Sequence, residues 1–253
     1  MLEKKIREKL RKKEILLISH AVLGFPNPKI CEQSIAEIAR AAEICELQIP
    51  FSDPQADGPF FTGAQQKSIA AGTRVADCIF FAEKICQKFP ETIFVFMTYF
   101  NIIFKFGVEK FVKKSAEIGV AGIILPDLPL EEAGEFLRAC EKFAVAPIFL
   151  FTPNMSEKRM REISAAAAGF IYCQSRTGVT GTRTKFDDAE KKYIARCRRN
   201  TNLPLAMGFG IQKKSDVDFL KNKVDIAICC TAAVKILKKN GPQKMGEFLQ
   251  NLR

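Results

Sequence analysis

A chain of 253 residues that is 47% hydrophobic can build one large core, and no apolar run in it reaches the roughly 18 residues needed to span a bilayer. The formal net charge of +11 could attract nucleic acid. However, the lysines and arginines gather near the termini (Lys4 to Lys13, Lys235 to Arg253) and on helix faces, with no tryptophan and no basic run interleaved with aromatics, so solvated helix faces are expected instead.

At the N-terminus, Met1 to Glu14 is basic and Ile15 to Phe25 mostly apolar, a superficial copy of a secretory leader. Glu3, Glu8 and Glu14 interrupt the first part, His20 and Gly24 the second, and no small-x-small cleavage site follows. The expectation is a surface helix with Leu2, Ile6 and Leu10 on one face, leading into a strand. From there eight short apolar runs read as strands: Ile15–Ala21, Ile44–Ile49, Thr92–Thr98, Gly122–Pro126, Ala146–Phe151, Gly169–Cys173, Pro204–Gly208 and Val224–Cys229. Amphipathic stretches alternate with them: Glu32–Ala42, Val75–Lys88, Val108–Ile118, Glu131–Phe143, Lys158–Ala165, Asp187–Arg199, Ser215–Asn222 and Ala232–Leu237. Apolar runs without polar alternation suit strands covered on both faces, and strict strand-then-helix order suits a parallel sheet. Eight repeats close into a (β/α)₈ TIM barrel, a single α/β domain over residues 1–253 with an extra N-terminal helix. A doubly wound open sheet is the structural alternative, but its Gly-rich first turn is missing.

Nine cysteines contain no C-x-x-C pair, and His20 is the single histidine. No zinc ligand set is readable, no metal is expected, and a reducing cytoplasm is the expected compartment.

Barrel chemistry sits on the loops that follow the strands. The first such segment, Glu46–Pro59, reads E-L-Q-I-P-F-S-D-P-Q-A-D-G-P. Alternation along the second strand puts Ile44, Glu46 and Gln48 on one face and Cys45, Leu47 and Ile49 on the other. The uniformly apolar set should meet the helices, which turns Glu46 into the barrel. A carboxylate there needs partners or a task, so Glu46 is either a working group or half of a buried ion pair. Asp57, in Asp-Gly-Pro, and Asp53, before Pro54, could equally be turn formers. The second segment, Ser175–Gly181 (S-R-T-G-V-T-G), could form a lid or an anion nest. In the third region, Gly208-Phe209-Gly210 follows the seventh strand and Cys230-Thr231-Ala232 opens the last helix. Barrels often bind phosphate at this position.

Together these segments resemble the tryptophan synthase alpha chain family, along nearly the whole chain. Pro50–Pro59 and Ser175–Gly181 are the most specific matches. Met97-Thr98-Tyr99 with Asn101, Pro126-Asp127-Leu128-Pro129, Ala146–Phe149, Gly208–Ile211 and Val234-Lys235 support them. The resemblance implies a lyase of tryptophan biosynthesis that cleaves indole-3-glycerol phosphate to indole and glyceraldehyde 3-phosphate. It also implies a beta-chain partner in an alpha2-beta2 complex, no cofactor in this chain, and pyridoxal phosphate in the beta chain. By matched position, Glu46 would be the general acid/base and Asp57 would stabilise charge at the indole nitrogen. Tyr99, Tyr172, Thr180 and Phe209 would line the pocket, and Gly181 and Gly210 would donate N–H groups to phosphate beside Cys230 and Thr231. Asp53 and Pro54 would meet the partner.

Several positions depart from the family pattern. Cys230-Thr231 stands for Gly-Ser, Gln48 for glycine, His20 for an aromatic, Phe25 for aspartate, Phe60-Phe61-Thr62 for a small-polar, aliphatic, glutamine sequence, and Pro126 for alanine. The expectation is that these changes crowd the ligand: Gln48 narrows the mouth and Cys230 obstructs the phosphate. An alternative function follows, an alpha chain of weak cleavage that serves mainly to activate the beta chain.

Overall fold

The computed structural model describes residues 2–174, 188–208 and 210–252. Its strands are β1 (Leu16–Val22), β2 (Ile44–Gln48), β3 (Ile93–Met97), β4 (Gly122–Ile124), β5 (Ala146–Ile148), β6 (Leu150–Phe151), β7 (Ile171–Gln174), β8 (Leu205–Gly208) and β9 (Ile226–Ile228). All pair in parallel, in the order β5-β4-β3-β2-β1-β9-β8-β7-β6. β5 and β6 are halves of one expected strand, parted at Phe149, whose carbonyl still accepts from Tyr172 N at 3.0 Å. The two ends of the sheet are therefore one chain segment, and the sheet closes into the expected barrel.

The helices are α1 (Leu2–Leu10), α2 (Pro28–Ala41), α3 (Pro59–Ala70), α4 (Val75–Lys88), α5 (Phe100–Phe106), α6 (Val108–Glu117), α7 (Gly134–Phe143), α8 (Glu157–Ala166), α9 (Asp188–Arg199), α10 (Lys214–Leu220) and α11 (Thr231–Gln250). Sequence reading did not find α3 and α5. α5 is almost wholly apolar (FNIIFKF), so it has no periodicity to read. α3 starts at Pro59 directly after the Asp57-Gly58 turn and follows β2 without an amphipathic stripe. α11 runs past its expected end at Leu237 because Gly241 (φ 85°) kinks it before Pro242 and a second helical stretch follows.

Side chains alternate as the sequence requires. Cys45, Leu47 and Ile49 join Phe94, Phe96 and the helices in an outer apolar layer. Leu16, Ile18, Ile44, Ile93, Val95, Ile124, Ile226 and Ile228 fill the barrel interior. α1 is more than the surface helix expected. Leu2 and Ile6 are buried in that inner cluster, and Leu10 packs against it, so α1 plugs the end of the barrel opposite the site loops. Gly122 makes room for it: a Cβ there would meet Ile148 Cδ1 at 2.7 Å and Leu2 Cδ2 at 3.0 Å. Part of the N-terminal charge is used locally. Arg7 donates to the Asn202 carbonyl at 2.7 Å, Lys9 to the Glu91 carbonyl at 2.9 Å, and Lys13 pairs with Glu43 at 2.5 Å. Among the described residues no helix is long and apolar enough to cross a membrane.

Candidate active site

At the opposite end of the barrel the inward positions turn polar. In the β1–β2 register His20 stands beside Glu46, and both side chains are buried. His20 Nδ1 lies 2.8 Å from Glu46 Oε1, and His20 Nε2 lies 2.9 Å from Gln48 Oε1. Gln48 Nε2 then donates to Asp57 Oδ2 at 2.9 Å. The same oxygen accepts from Gln65 Nε2 at 3.0 Å and from the Tyr99 hydroxyl at 2.8 Å. One chain of hydrogen bonds thus joins both carboxylates. Its last member is pinned too, because Gln65 Oε1 accepts from Phe51 N at 3.1 Å.

Glu46 and Asp57 line a cavity of about 410 Å³ together with His20, Phe61, Met97, Ile124, Leu150, Tyr172, Gly210, Cys230, Thr231 and Lys235. The free oxygen of Glu46, Oε2, is buried and has no hydrogen-bond partner among the described residues. An unpaired buried carboxylate oxygen is costly, and it is where a substrate proton can be exchanged. Burial works to lower the pKa of His20. The charge and hydrogen bond of Glu46, then Asp57 and Gln48, outweigh it and leave His20 above its ordinary value of 6.5. Burial raises Tyr172 well above its usual value, with Glu46 adding to it, and raises the Cys230 thiol in the same way.

Tyr172, Gly210, Cys230 and Thr231 lie on the cavity as expected. Tyr99 does not do so in the expected sense. It is 1% exposed, accepts from Ala56 N at 3.0 Å and donates to Asp57, so it holds the carboxylate from behind. Asp127 orders the loop that carries Tyr99, since both its oxygens accept from Phe100 N, at 2.9 and 3.1 Å. Thr180, Gly181, Phe209 and the Ser175–Gly181 loop lie outside the described residues. Asp53 is exposed and Pro54 is buried.

The departures from the family pattern do not all crowd the ligand. Phe25 is buried in the outer apolar layer. Gln48 is fully buried and points into the hydrogen-bond chain, so it does not narrow the mouth. Cys230 precedes Thr231 at the start of α11, and its thiol faces inward: Sγ and ligand atoms of His20 and Glu46 all lie within 4.8 Å of one another. Those three residues are of metal-binding type, but both His20 nitrogens are already engaged by Glu46 and Gln48, and a metal would have to break those bonds. Sequence reading missed Gln65 on the overlooked α3; Phe61, on the same helix and named only as a departure near the ligand, meets the His20 ring edge-on at 4.6 Å. It also gave no site role to Lys235, which lines the cavity one turn into α11.

A family model described as tryptophan synthase alpha chain matches residues 6–252. The chain is 44% identical over 254 residues to the tryptophan synthase alpha chain of Syntrophotalea carbinolica, covering all of both chains. It is 40% identical over 239 residues to that of Methanocaldococcus jannaschii, covering 94% of this chain and 85% of the relative. Among solved structures, Mycobacterium tuberculosis tryptophan synthase superposes with a TM-score of 0.92 at 27% identity, over 99% of this chain and 96% of that one. A tryptophan synthase complex from Pyrococcus furiosus superposes with a TM-score of 0.85 at 26% identity, over 94% of this chain and 97% of that one.

Proposed function

The chain belongs to the tryptophan synthase alpha chain family, and on that premise we propose that Glu46 and Asp57 carry its cleavage of indole-3-glycerol phosphate to indole and glyceraldehyde 3-phosphate. The family is a lyase of tryptophan biosynthesis that works with a beta chain; it carries no cofactor of its own, and pyridoxal phosphate belongs to the beta chain.

The reaction moves one proton. The hydroxyl next to the indole ring loses it, the ring carbon gains it, and the carbon–carbon bond between them breaks. The O–H electron pair becomes the carbonyl of the aldehyde, and the pair from the broken bond returns to the ring. One carboxylate can serve both ends of that transfer, as base to the hydroxyl and as acid to the ring carbon. Glu46 Oε2 is placed for this: it is buried and unpaired among the described residues while Oε1 is tethered to His20. That is the observation on which the assignment rests. Protonating the ring carbon builds positive charge at the indole nitrogen, and Asp57, fixed by three donors to Oδ2, meets it without moving. Phe61, Met97, Ile124, Leu150 and Ile228 supply apolar walls for a bicyclic aromatic ring. Phosphate fits the start of α11, where Thr231 and Ala232 meet the cavity near Gly210, with Lys235 as the cation.

Both carboxylates stand in one organised cavity, which favours a working lyase over a chain that only activates its partner. Glu46→Gln and Asp57→Asn should each remain folded and lose indole release from indole-3-glycerol phosphate; full activity in either removes that residue from the mechanism. Asp53 is the partner contact in this reading. Tryptophan formation from indole and serine by the beta chain should be stimulated by the wild-type chain and by Glu46→Gln, and less by Asp53→Ala. All described strands join one barrel, in keeping with a single domain over 1–253, and the nine free thiols suit the cytoplasm.

A further inference from the structure

We propose that His20 and Gln48 form a positioning relay between the two carboxylates: Gln48 fixes which nitrogen of His20 carries its proton, and His20 holds one further proton against Glu46. The inference rests on the reading of Glu46 as the acid–base group.

Asp57 Oδ2 already accepts from Tyr99 and Gln65, so only another donor can face it. Gln48 must therefore turn its Nε2 toward Asp57, which leaves Oε1 toward His20. An amide oxygen has no proton to give, so the 2.9 Å contact requires a proton on His20 Nε2. The tautomer is thereby set from Asp57, two hydrogen bonds away. Nδ1 then faces Glu46 Oε1 at 2.8 Å, and that contact holds only if one proton lies in it, as imidazolium with carboxylate or as imidazole with carboxylic acid.

Other groups surround His20 on every side. Tyr172 on β7 and Cys230 before α11 are both raised by burial and stay neutral. Asp57 Oδ2 already accepts from three donors, and Phe61 presents only a ring edge. Lys235 lines the same cavity as a cation. Glu46, then Asp57, outweigh burial and lift His20 above its ordinary value, so in the relay the shared proton sits on Nδ1, facing Glu46 Oε1. Glu46 is then held by Oε1 with Oε2 free as a base. Once Oε2 has taken the hydroxyl proton, the neighbouring imidazolium favours its onward transfer to the ring carbon. When pH rises through the folded value of His20, Nδ1 loses its proton, two acceptors face each other, and the tether fails.

His20 is the only histidine in the chain, so ¹⁵N-histidine labelling reports on it alone. In the wild-type chain Nε2 should be protonated across the accessible pH range, while Nδ1 is protonated at neutral pH and loses its proton on the alkaline side of 6.5. That same midpoint should appear as the alkaline limb of kcat for indole release. Gln48→Leu keeps the volume but frees the tautomer. Above the transition its two nitrogens should exchange roles, the limb should move, and kcat should fall about 10-fold with KM little changed, a part of the 10²–10⁴-fold that an acid–base group supplies. His20→Phe should abolish the limb. A wild-type Nε2 without a proton overturns the relay, and so does a folded Gln48→Leu with unchanged ¹⁵N signals and pH profile. Glu46→Gln separates the two layers. If it is inactive while Gln48→Leu behaves as wild type, the relay alone fails; if it cleaves normally, the acid–base reading fails and the relay's catalytic role with it.

Discussion

The two ends of the barrel interior are built from the same strands and differ in chemistry. On β1 the inward residues run Leu16, Ile18, His20, and on β2 they run Ile44, Glu46, Gln48. At the first end they meet Leu2 and Ile6 of α1 in a dry aliphatic plug. At the other they meet Asp57, Gln65 and Tyr99 in a hydrogen-bonded chain beside the cavity. One end supplies burial and the other supplies chemistry, so a substitution at the plug should lower stability and a substitution at the mouth should lower rate.

The largest effect is expected at the mouth. Glu46→Gln or Asp57→Asn should reduce indole release about 10²–10⁴-fold, with the circular dichroism of the folded barrel kept. At the plug, Ile6→Ala removes a fully buried side chain and should cost about 2–5 kcal/mol in urea unfolding, while kcat per folded molecule is kept.

Two smaller effects sharpen the contrast within the mouth. His20 has a raised folded value, so its pairing stabilises the fold fully below the unfolded value near 6.5, and that contribution is lost as pH rises through the folded value. The Tm gap between wild type and His20→Phe should therefore narrow toward alkaline pH; a gap that widens contradicts the pairing. Cys230→Gly should change glycerol phosphate affinity by less than the 10-fold that 1.4 kcal/mol represents, because the thiol faces Glu46 and His20. A gain of 10-fold or more by titration would restore the view that cysteine obstructs the phosphate.

The barrel was legible because eight apolar runs alternate with helices, and period-two alternation turned Glu46 inward without help from the structure. Val75–Lys88 was found with its observed ends because its apolar positions recur at helical spacing. What escaped was encoded in contacts rather than in periods. α5 has no polar face to mark it, and α3 lacks a stripe, so Gln65 could not be placed, and Phe61 was named near the ligand without the helix that carries it. Gln48 read as an obstruction because a sequence shows which face a side chain takes but not which neighbours hold it. Only the β1–β2 register, with Asp57 folded back beyond it, reveals that Gln48 and His20 complete each other's hydrogen bonds. Leu2 and Ile6 were seen as one helical face, but the hollow they fill exists only once the strands have closed.

The division between the two ends is tested most directly by one assay on three proteins. Indole release from indole-3-glycerol phosphate is measured for wild type, Glu46→Gln and Ile6→Ala, each normalised to the folded fraction from its urea curve. Glu46→Gln should stay folded and be nearly inactive, losing in stability only what its pairing with His20 supplies, and Ile6→Ala should be less stable and fully active per folded molecule. An active Glu46→Gln, or a folded Ile6→Ala that has lost its rate, would contradict the assignment of chemistry to one end and burial to the other.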